Sequence, residues 1–248
     1  MKTLLVVPCY NEERRLDAPA YREFVEANPD VAFLFVNDGS KDGTSALLHK
    51  LAAEAPRSTA FDLPRNSGKA EAVRQGMLRG LETDAQAIGF WDADLATPLP
   101  IALEMKDLLE RQEALQIVIG SRVRLLGRRI ERNPVRHYLG RVFATAVSLL
   151  LRLPVYDTQC GAKLFRATPR LREMLEKPFL SRWIFDVELL ARFLLAGGTA
   201  DDIYEHPLSR WMDVAGSKVR GRDFVTAAKD LWVLNRAYKL RQLKGKVF

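Results

Sequence analysis

The chain has 248 residues, 48% of them hydrophobic, which is enough to bury the core of one large α/β domain. Its net charge of +7 favours anionic partners as a class: nucleic acid, lipid head groups or a phosphorylated small molecule. The two cysteines, Cys9 and Cys160, stand far apart with no histidine at metal-ligand spacing, so neither a disulfide framework nor a zinc site is expected, and a reducing cytoplasm fits.

The opening MK leads straight into TLLVVP, where Pro8 interrupts the apolar run too early for a secretory leader, and none is expected. Apolar runs then alternate with amphipathic stretches: TLLVVP, VAFLFVND, TSALLHKLAAEA, TAFDLP, KAEAVRQGMLRGLE, AIGFWDAD, PIALEMKDLLER and LQIVIGSR. This β-α-β order, with short strands lacking polar alternation, predicts an α/β fold whose central sheet is mostly parallel and covered by helices on both faces. Ligands of such sheets bind beyond the carboxyl ends of the strands. The polar punctuation falls there: CYNE, NDGS, RNSGK, DAD and GSR follow the five strands in turn.

Beyond Arg122 the run VRLLGRRIERNPVRHYLGR is strongly basic, and VFATAVSLLLRL continues it as an apolar helix from about Val135 to Leu153. That helix is shorter than the roughly 20 residues needed to span a bilayer. Apolar positions nearly encircle it, so a helix packed on the sheet and an interfacial helix fit the periodicity equally. A strand in TQCGAKLFRA, a helix in RWIFDVELLARFLLAGG closed by a glycine pair, a strand in DDIYEHPLSRW and a closing helix from Asp223 complete the chain. The expected division is one domain over 1–222, with a basic amphipathic helix over 223–248 packed on it or extending from it.

Asp92 and Asp94 are two positions apart, so at the end of a strand their carboxylates project from one face and can converge on one cation. Hard divalent ions such as Mg²⁺ take carboxylate oxygens and share their other positions with phosphates. The alternative is that Asp94 or Thr97 caps the helix beginning at Pro98. Glu12 and Asp38 stand on adjacent loops, where carboxylates can accept hydrogen bonds from a base or from ribose hydroxyls, although Asp38-Gly39 also suits an ordinary turn. Gly68 and Lys69 open a helix as a plausible anion site without the spacing of a P-loop.

Taken in order, PCYNEE, VNDGSKDGT, NSGKAEAV, DADLATP and GSR resemble the inverting nucleotide-sugar transferases of glycosyltransferase family 2, which have a GT-A fold. DTQCGAKLF, RWIFDVELL and WMDVAGSK are similar to the dolichyl-phosphate glucosyltransferase branch and its bacterial polyprenyl-phosphate relatives, so the resemblance spans Pro8 to about Lys218. It implies that Pro8, Tyr10, Glu12 and Asp38 hold the nucleoside, with Asp38 on the base. It implies further that Lys69, Asp92 and Asp94 hold the rest of the nucleotide sugar, Asp92 and Asp94 with the ribose and a Mg²⁺ or Mn²⁺ ion, Asp94 as the direct ligand. Asp186 falls where the family often places its general base, and Arg122, Gln159 and Lys218 face the sugar, the acceptor or the phosphates.

The implied reaction is inverting transfer of a hexose, glucose from UDP-glucose first, to a polyprenyl or dolichyl phosphate. An alcohol acceptor needs a carboxylate such as Asp186 to take its proton. A phosphate monoester, with a second pKa of about 6, is already mostly dianionic and needs positioning cations instead. Arg128, Arg129, Arg132 and Arg136 suit such a head group or an anionic membrane surface, and equally a solvated basic face. The alternatives are transfer to a hydroxyl acceptor through Asp186, and a non-catalytic nucleotide-sugar or nucleic-acid binder. Nucleic acid is not expected, because the basic residues lie beside an apolar helix rather than among stacking aromatics. No G-x-G-x-x-G follows the first strand, which disfavours a dinucleotide-binding dehydrogenase. Many polyprenyl-phosphate sugar transferases carry transmembrane helices; with none here, a cytoplasmic protein, peripheral at the membrane face, is expected.

Overall fold

The computed structural model describes residues 1–131, 134–212, 221–240 and 243, with the backbone alone for 134–136 and 221–225. Thr3–Cys9 (β1), Val31–Asn37 (β2), Ser58–Asp62 (β3) and Ala87–Trp91 (β4) lie side by side in parallel, in the order β3-β2-β1-β4. Ala162–Arg166 (β7) continues the sheet antiparallel to β4, followed by Ile117–Ser121 (β5) and Ile203–Pro207 (β8), which run parallel to each other. The sheet is thus mostly parallel, as its unbroken apolar strands predict. Every residue of β4 and β5 is buried, as expected of strands covered on both faces.

Helices Ala18–Ala27 (α1), Thr44–Glu54 (α2) and Pro100–Arg111 (α4) pack on one face through Tyr21, Val25, Leu48, Leu51, Ile101 and Met105. On the other face lie Lys69–Gly80 (α3), Pro134–Leu151 (α5), Pro169–Glu176 (α6), Phe185–Leu195 (α7) and Gly221–Tyr238 (α8), contributing Val73, Met77, Val147, Leu171, Phe185 and Leu234 to a second core cluster. Two helices, α1 and α6, carry no long apolar run and escape the sequence reading. Each begins at a side-chain cap followed by proline: Asp17 accepts from the Ala20 N–H, and Thr168 from the Leu171 N–H.

The stretch DDIYEHPLSRW, expected as one strand, divides at Pro207. Its second part, Arg210–Met212 (β9), leaves the main sheet and pairs in parallel with Arg129–Glu131 (β6), a strand inside the basic run. Proline has no N–H to continue a ladder, which suits the break. The expected α4 cap also differs: the helix starts at Pro100 behind Leu99, and neither Asp94 nor Thr97 caps it.

The antiparallel strand β7 decides what meets at the rim. Trp91 at the end of β4 pairs with Ala162 at the start of β7, so the segment preceding β7 arrives beside Asp92. There the Asp92 N–H donates to the Gly161 carbonyl at 3.0 Å.

Candidate active site

Asp92 and Asp94 lie on the turn just beyond β4 rather than on the strand itself. Leu95 adopts φ 53°, and Asp94 Oδ1 accepts the Ala96 N–H at 3.1 Å, which folds the chain back on itself. The Tyr21 hydroxyl, buried beneath, donates toward the Ala93 carbonyl, and the Trp91 indole N–H donates to the Thr97 carbonyl at 2.8 Å. Burial first, and then the charges around Asp92, Asp94 and Glu12, hold the Tyr21 phenol well above its ordinary pKa, so it remains a donor.

Both turn carboxylates meet cations. Lys69, the first residue of α3, pairs with Asp92, and Arg15 Nη2 approaches Asp94 Oδ2 at 3.5 Å while its Nε faces Glu12 Oε2 at 3.5 Å. Burial and the neighbouring Asp92 push the Asp94 carboxyl above its ordinary pKa, outweighing the opposing Ala96 N–H, Arg15 and Lys69. Two like charges crowded on a half-buried turn favour the approach of a positive group. Among the described residues no third carboxylate, histidine or cysteine joins them as a metal-ligand cluster.

Asp38 is buried and accepts two backbone N–H groups, Ser67 at 2.7 Å and Gly68 at 2.8 Å, tying the loop after β2 to the N-terminus of α3. Its carboxyl is raised, burial outweighing those hydrogen bonds and the charge of Arg182. Gly39 between the loops has φ +61°, and a Cβ there would stand 2.5 Å from the Arg65 carbonyl carbon, so only glycine allows the approach. The β1 loop is latched to the same corner: the Asn11 N–H donates to Ser40 Oγ, the Glu12 N–H to Thr44 Oγ1, and the Lys41 N–H to Asn11 Oδ1. Pro8 lies within β1 opposite Val36, and Tyr10 follows on that loop.

Asp186, in the first turn of α7, is buried and paired with Lys163 of β7, whose ammonium also donates to the Cys160 carbonyl at 2.6 Å and lies 5.2 Å from the centre of the Phe90 ring. Lys163 is fully buried, and that carboxylate is its counter-charge. Lys69 senses the charges of Asp92, Asp186 and Asp94 together, which places the pair beside the turn. Arg122, just after β5, forms a two-pronged pair with Asp157, Nε at 2.6 Å and Nη2 at 2.7 Å. Asp157 is in turn fixed by Glu205 of β8, which accepts the Tyr156 and Asp157 N–H groups at 2.7 and 2.8 Å. Gln159 follows Asp157, donating its N–H to Asp157 Oδ1 at 3.2 Å, while its buried Nε2 has no hydrogen-bond partner among the described residues.

The predicted residues Asp38, Lys69, Asp92, Asp94, Asp186, Arg122 and Gln159 therefore share one rim. Arg128 and Arg129, the latter opening β6, are exposed, and Arg141 is drawn onto the Tyr156 carbonyl at 2.7 Å. Lys218 and Arg132 lie outside the described residues, as does the side chain of Arg136. Four participants escape the sequence reading: Arg15, Asp157, Lys163 and Glu205. Lys163 left a visible signal, a lysine inside the apolar strand GAKLF, whereas the others look like ordinary surface charges in sequence.

Comparison with known proteins decides the family. Residues 4–170 match the family model described as glycosyl transferase family 2. The chain belongs to glycosyltransferase family 2. This family 2 glycosyltransferase is 32% identical to a dolichyl-phosphate beta-glucosyltransferase of Trichomonas vaginalis over 92% of its length and 69% of that protein's. It is also 32% identical to the enzymes of that name from Saccharomyces cerevisiae (95% of this chain, 75% of that one) and Homo sapiens (97% and 76%). Its fold is GT-A, like that of glucosyl-3-phosphoglycerate synthase from Mycobacterium tuberculosis, solved with Mn²⁺, UDP and glucosyl-3-phosphoglycerate: TM-score 0.68 at 18% identity, covering 96% of this chain and 79% of that one.

Proposed function

We propose that this family 2 glycosyltransferase moves glucose from UDP-glucose, with inversion, to the phosphate of a polyprenyl or dolichyl phosphate. The observation that carries the reading is the Asp186–Lys163 pair. The Asp186 Oδ1 is already engaged by the buried Lys163 ammonium rather than free to take an alcohol's proton, whereas a phosphate monoester arrives already ionised and needs no base. The relatives named dolichyl-phosphate beta-glucosyltransferases support the same acceptor.

Asp92 and Asp94 fit a divalent cation as a partial donor set of hard oxygens, since both already attract positive side chains and Asp94 is unfavourably charged beside Asp92. Mg²⁺ or Mn²⁺ bound there would neutralise the departing diphosphate. Asp38 holds the loop that opens α3 and, with Glu12, faces the nucleoside. Lys69 meets the phosphates, and Arg122, oriented by Asp157, faces the acceptor side with Gln159. A membrane surface is the natural source of a lipid acceptor. No helix among the described residues is long and apolar enough to cross a bilayer. The exposed basic and apolar face around Arg128, Arg129 and α5 favours contact with a membrane surface, on this reading the cytoplasmic one.

Labelled UDP-glucose and GDP-mannose, each offered with a short polyprenyl phosphate and Mg²⁺ or Mn²⁺, test the proposal. UDP-glucose label entering the organic phase, as the β-linked product and only with metal, is the expected result. Label appearing solely in water-soluble products would overturn the lipid acceptor.

A further inference from the structure

Arg15 stands out among the rim residues because neither the fold nor the nucleotide reading uses it. It leaves the β1 loop, reaches across to the β4 turn and approaches Asp94 at 3.5 Å, just as Lys69 reaches from α3 to Asp92. Each carboxylate of the Asp-x-Asp turn thus has its own cationic side chain, supplied from a different element. All four side chains are partly open to water: Lys69 and Asp92 are 41% and 36% exposed, Arg15 and Asp94 30% and 28%. Ion pairs so exposed are weak and exchangeable. They offset the turn's charge without locking it.

We propose that Lys69 and Arg15 are resident counter-ions that make cation binding at Asp92 and Asp94 conditional on the donor's diphosphate. The inference rests on reading those two aspartates as the cation site. In the free protein Asp92, Asp94 and Glu12, which also faces Arg15 at 3.5 Å, surround two cationic groups, so the cluster carries one net negative charge and a divalent cation alone would turn it positive beside Lys69 and Arg15. A diphosphate arriving with the cation supplies matching negative charge and offers Lys69 and Arg15 a new anion. The side chains pass from the carboxylates to the phosphates, and the carboxylates are released. Because Lys69 is the first residue of α3, that transfer moves it toward an anion at the positive end of the helix, where an anion is favoured. Metal and nucleotide thereby bind as a unit, each raising the other's affinity by the same factor.

Mn²⁺ binding to the full chain, read from the electron paramagnetic resonance signal of free Mn²⁺ with and without saturating UDP, tests this without any turnover. Wild-type protein should bind Mn²⁺ weakly alone and at least about tenfold more tightly with UDP. Lys69→Gln and, separately, Arg15→Gln should each raise the affinity for Mn²⁺ alone by several-fold to about tenfold and shrink the enhancement by UDP, while Lys69→Arg should keep the wild-type pattern. Melting curves identify any variant that fails to fold, and Arg15→Gln tests the idea independently of the α3 terminus. If UDP tightens Mn²⁺ in wild type but neither Gln variant gains affinity for Mn²⁺ alone, the counter-ion role is refuted and the cation site stands. Absence of Mn²⁺ binding even with UDP would remove both.

Discussion

Lys163 has 0% exposure, and its ammonium is held by Asp186 and one carbonyl, so the pair constrains any interpretation of Asp186 variants. Asp186→Asn would strand a buried cation, which costs about 3–5 kcal/mol. Loss of turnover in that variant would therefore report instability as well as chemistry. The expected pattern is a sharply lowered melting temperature for Asp186→Asn and recovery of most of it in the double variant Lys163→Met with Asp186→Leu, where no charge is left unpaired. If Asp186→Asn melts like wild type, the pair contributes nothing and Asp186 returns as a candidate base. Gly161 offers a second test at this scale. A Cβ there would lie 1.8 Å from Asp92 Oδ2, so Gly161→Ala must push the Asp92 carboxylate off its position. UDP binding in the presence of Mn²⁺ should weaken by about tenfold, roughly 1.4 kcal/mol, by titration calorimetry. Unchanged binding would mean that Asp92 does not hold the nucleotide in this position.

Glu205 belongs to β8 and Asp157 to the approach to β7, so their contact stitches a strand to a loop and aims Arg122 from the end of β5. Burial raises the Glu205 carboxyl above its ordinary value, against the two N–H groups it accepts. A raised carboxyl means that the folded state binds the proton more tightly than the unfolded chain. Its contribution is therefore most favourable below the ordinary carboxylate range and is lost as pH rises through the raised folded value. Glu205→Gln removes that titration, so on acidification from pH 7 toward about 5 wild type should gain stability relative to the variant in denaturant melts. Parallel pH profiles would refute the assignment. The variant should also lose about 1–3 kcal/mol at neutral pH, because an amide NH₂ faces a backbone N–H. This network shows where sequence reading stopped. Strands β1 to β5 and helix α3 are legible because an apolar run between polar turns needs no partner to be recognised, and the rim residues Asp38, Asp92 and Asp94 follow from strand ends. Arg15, Asp157, Lys163 and Glu205 matter through pairings that span 23 to 79 positions, which no local pattern records. Strand β7 was visible, but its antiparallel direction was not. That direction is what brings Gly161 to Asp92, with Gln159 on the segment just before it.

The charge of +7 is unevenly used across the molecule. At the rim Lys69, Arg15 and Arg122 are paired with carboxylates. Arg128 and Arg129 are exposed beside the tip Leu125-Leu126-Gly127, where both leucines also face solvent. Helix α5 follows, and it divides into two faces. Ala144, Val147, Ser148 and Leu151 are buried, Val147 and Leu151 in the core cluster that α7 shares, while Tyr138, Val142, Ala146 and Leu149 form an exposed stripe on the opposite side. The encircling apolar pattern in sequence thus has two separate causes, a core stripe and a solvent-facing one. A basic flank beside an apolar stripe matches an interface with anionic lipid: apolar side chains dip below the head groups and arginines stay among them. On the proposed lipid acceptor, this face would bring the rim to its substrate. Sedimentation with vesicles of phosphatidylcholine and phosphatidylserine should capture the wild-type chain, less so as salt rises. Each basic residue near such a surface contributes about 1 kcal/mol, so Arg128→Gln with Arg129→Gln should reduce capture by roughly tenfold or more. Tyr138→Ser, Val142→Ser and Leu149→Ser combined should also reduce it while shifting the melting temperature little, because these side chains leave no core contacts behind. Transfer to a water-soluble short-chain phosphate should survive in both variants. If vesicle capture is equal to wild type in both, this face is not the membrane contact, and the lipid must reach the rim by another side.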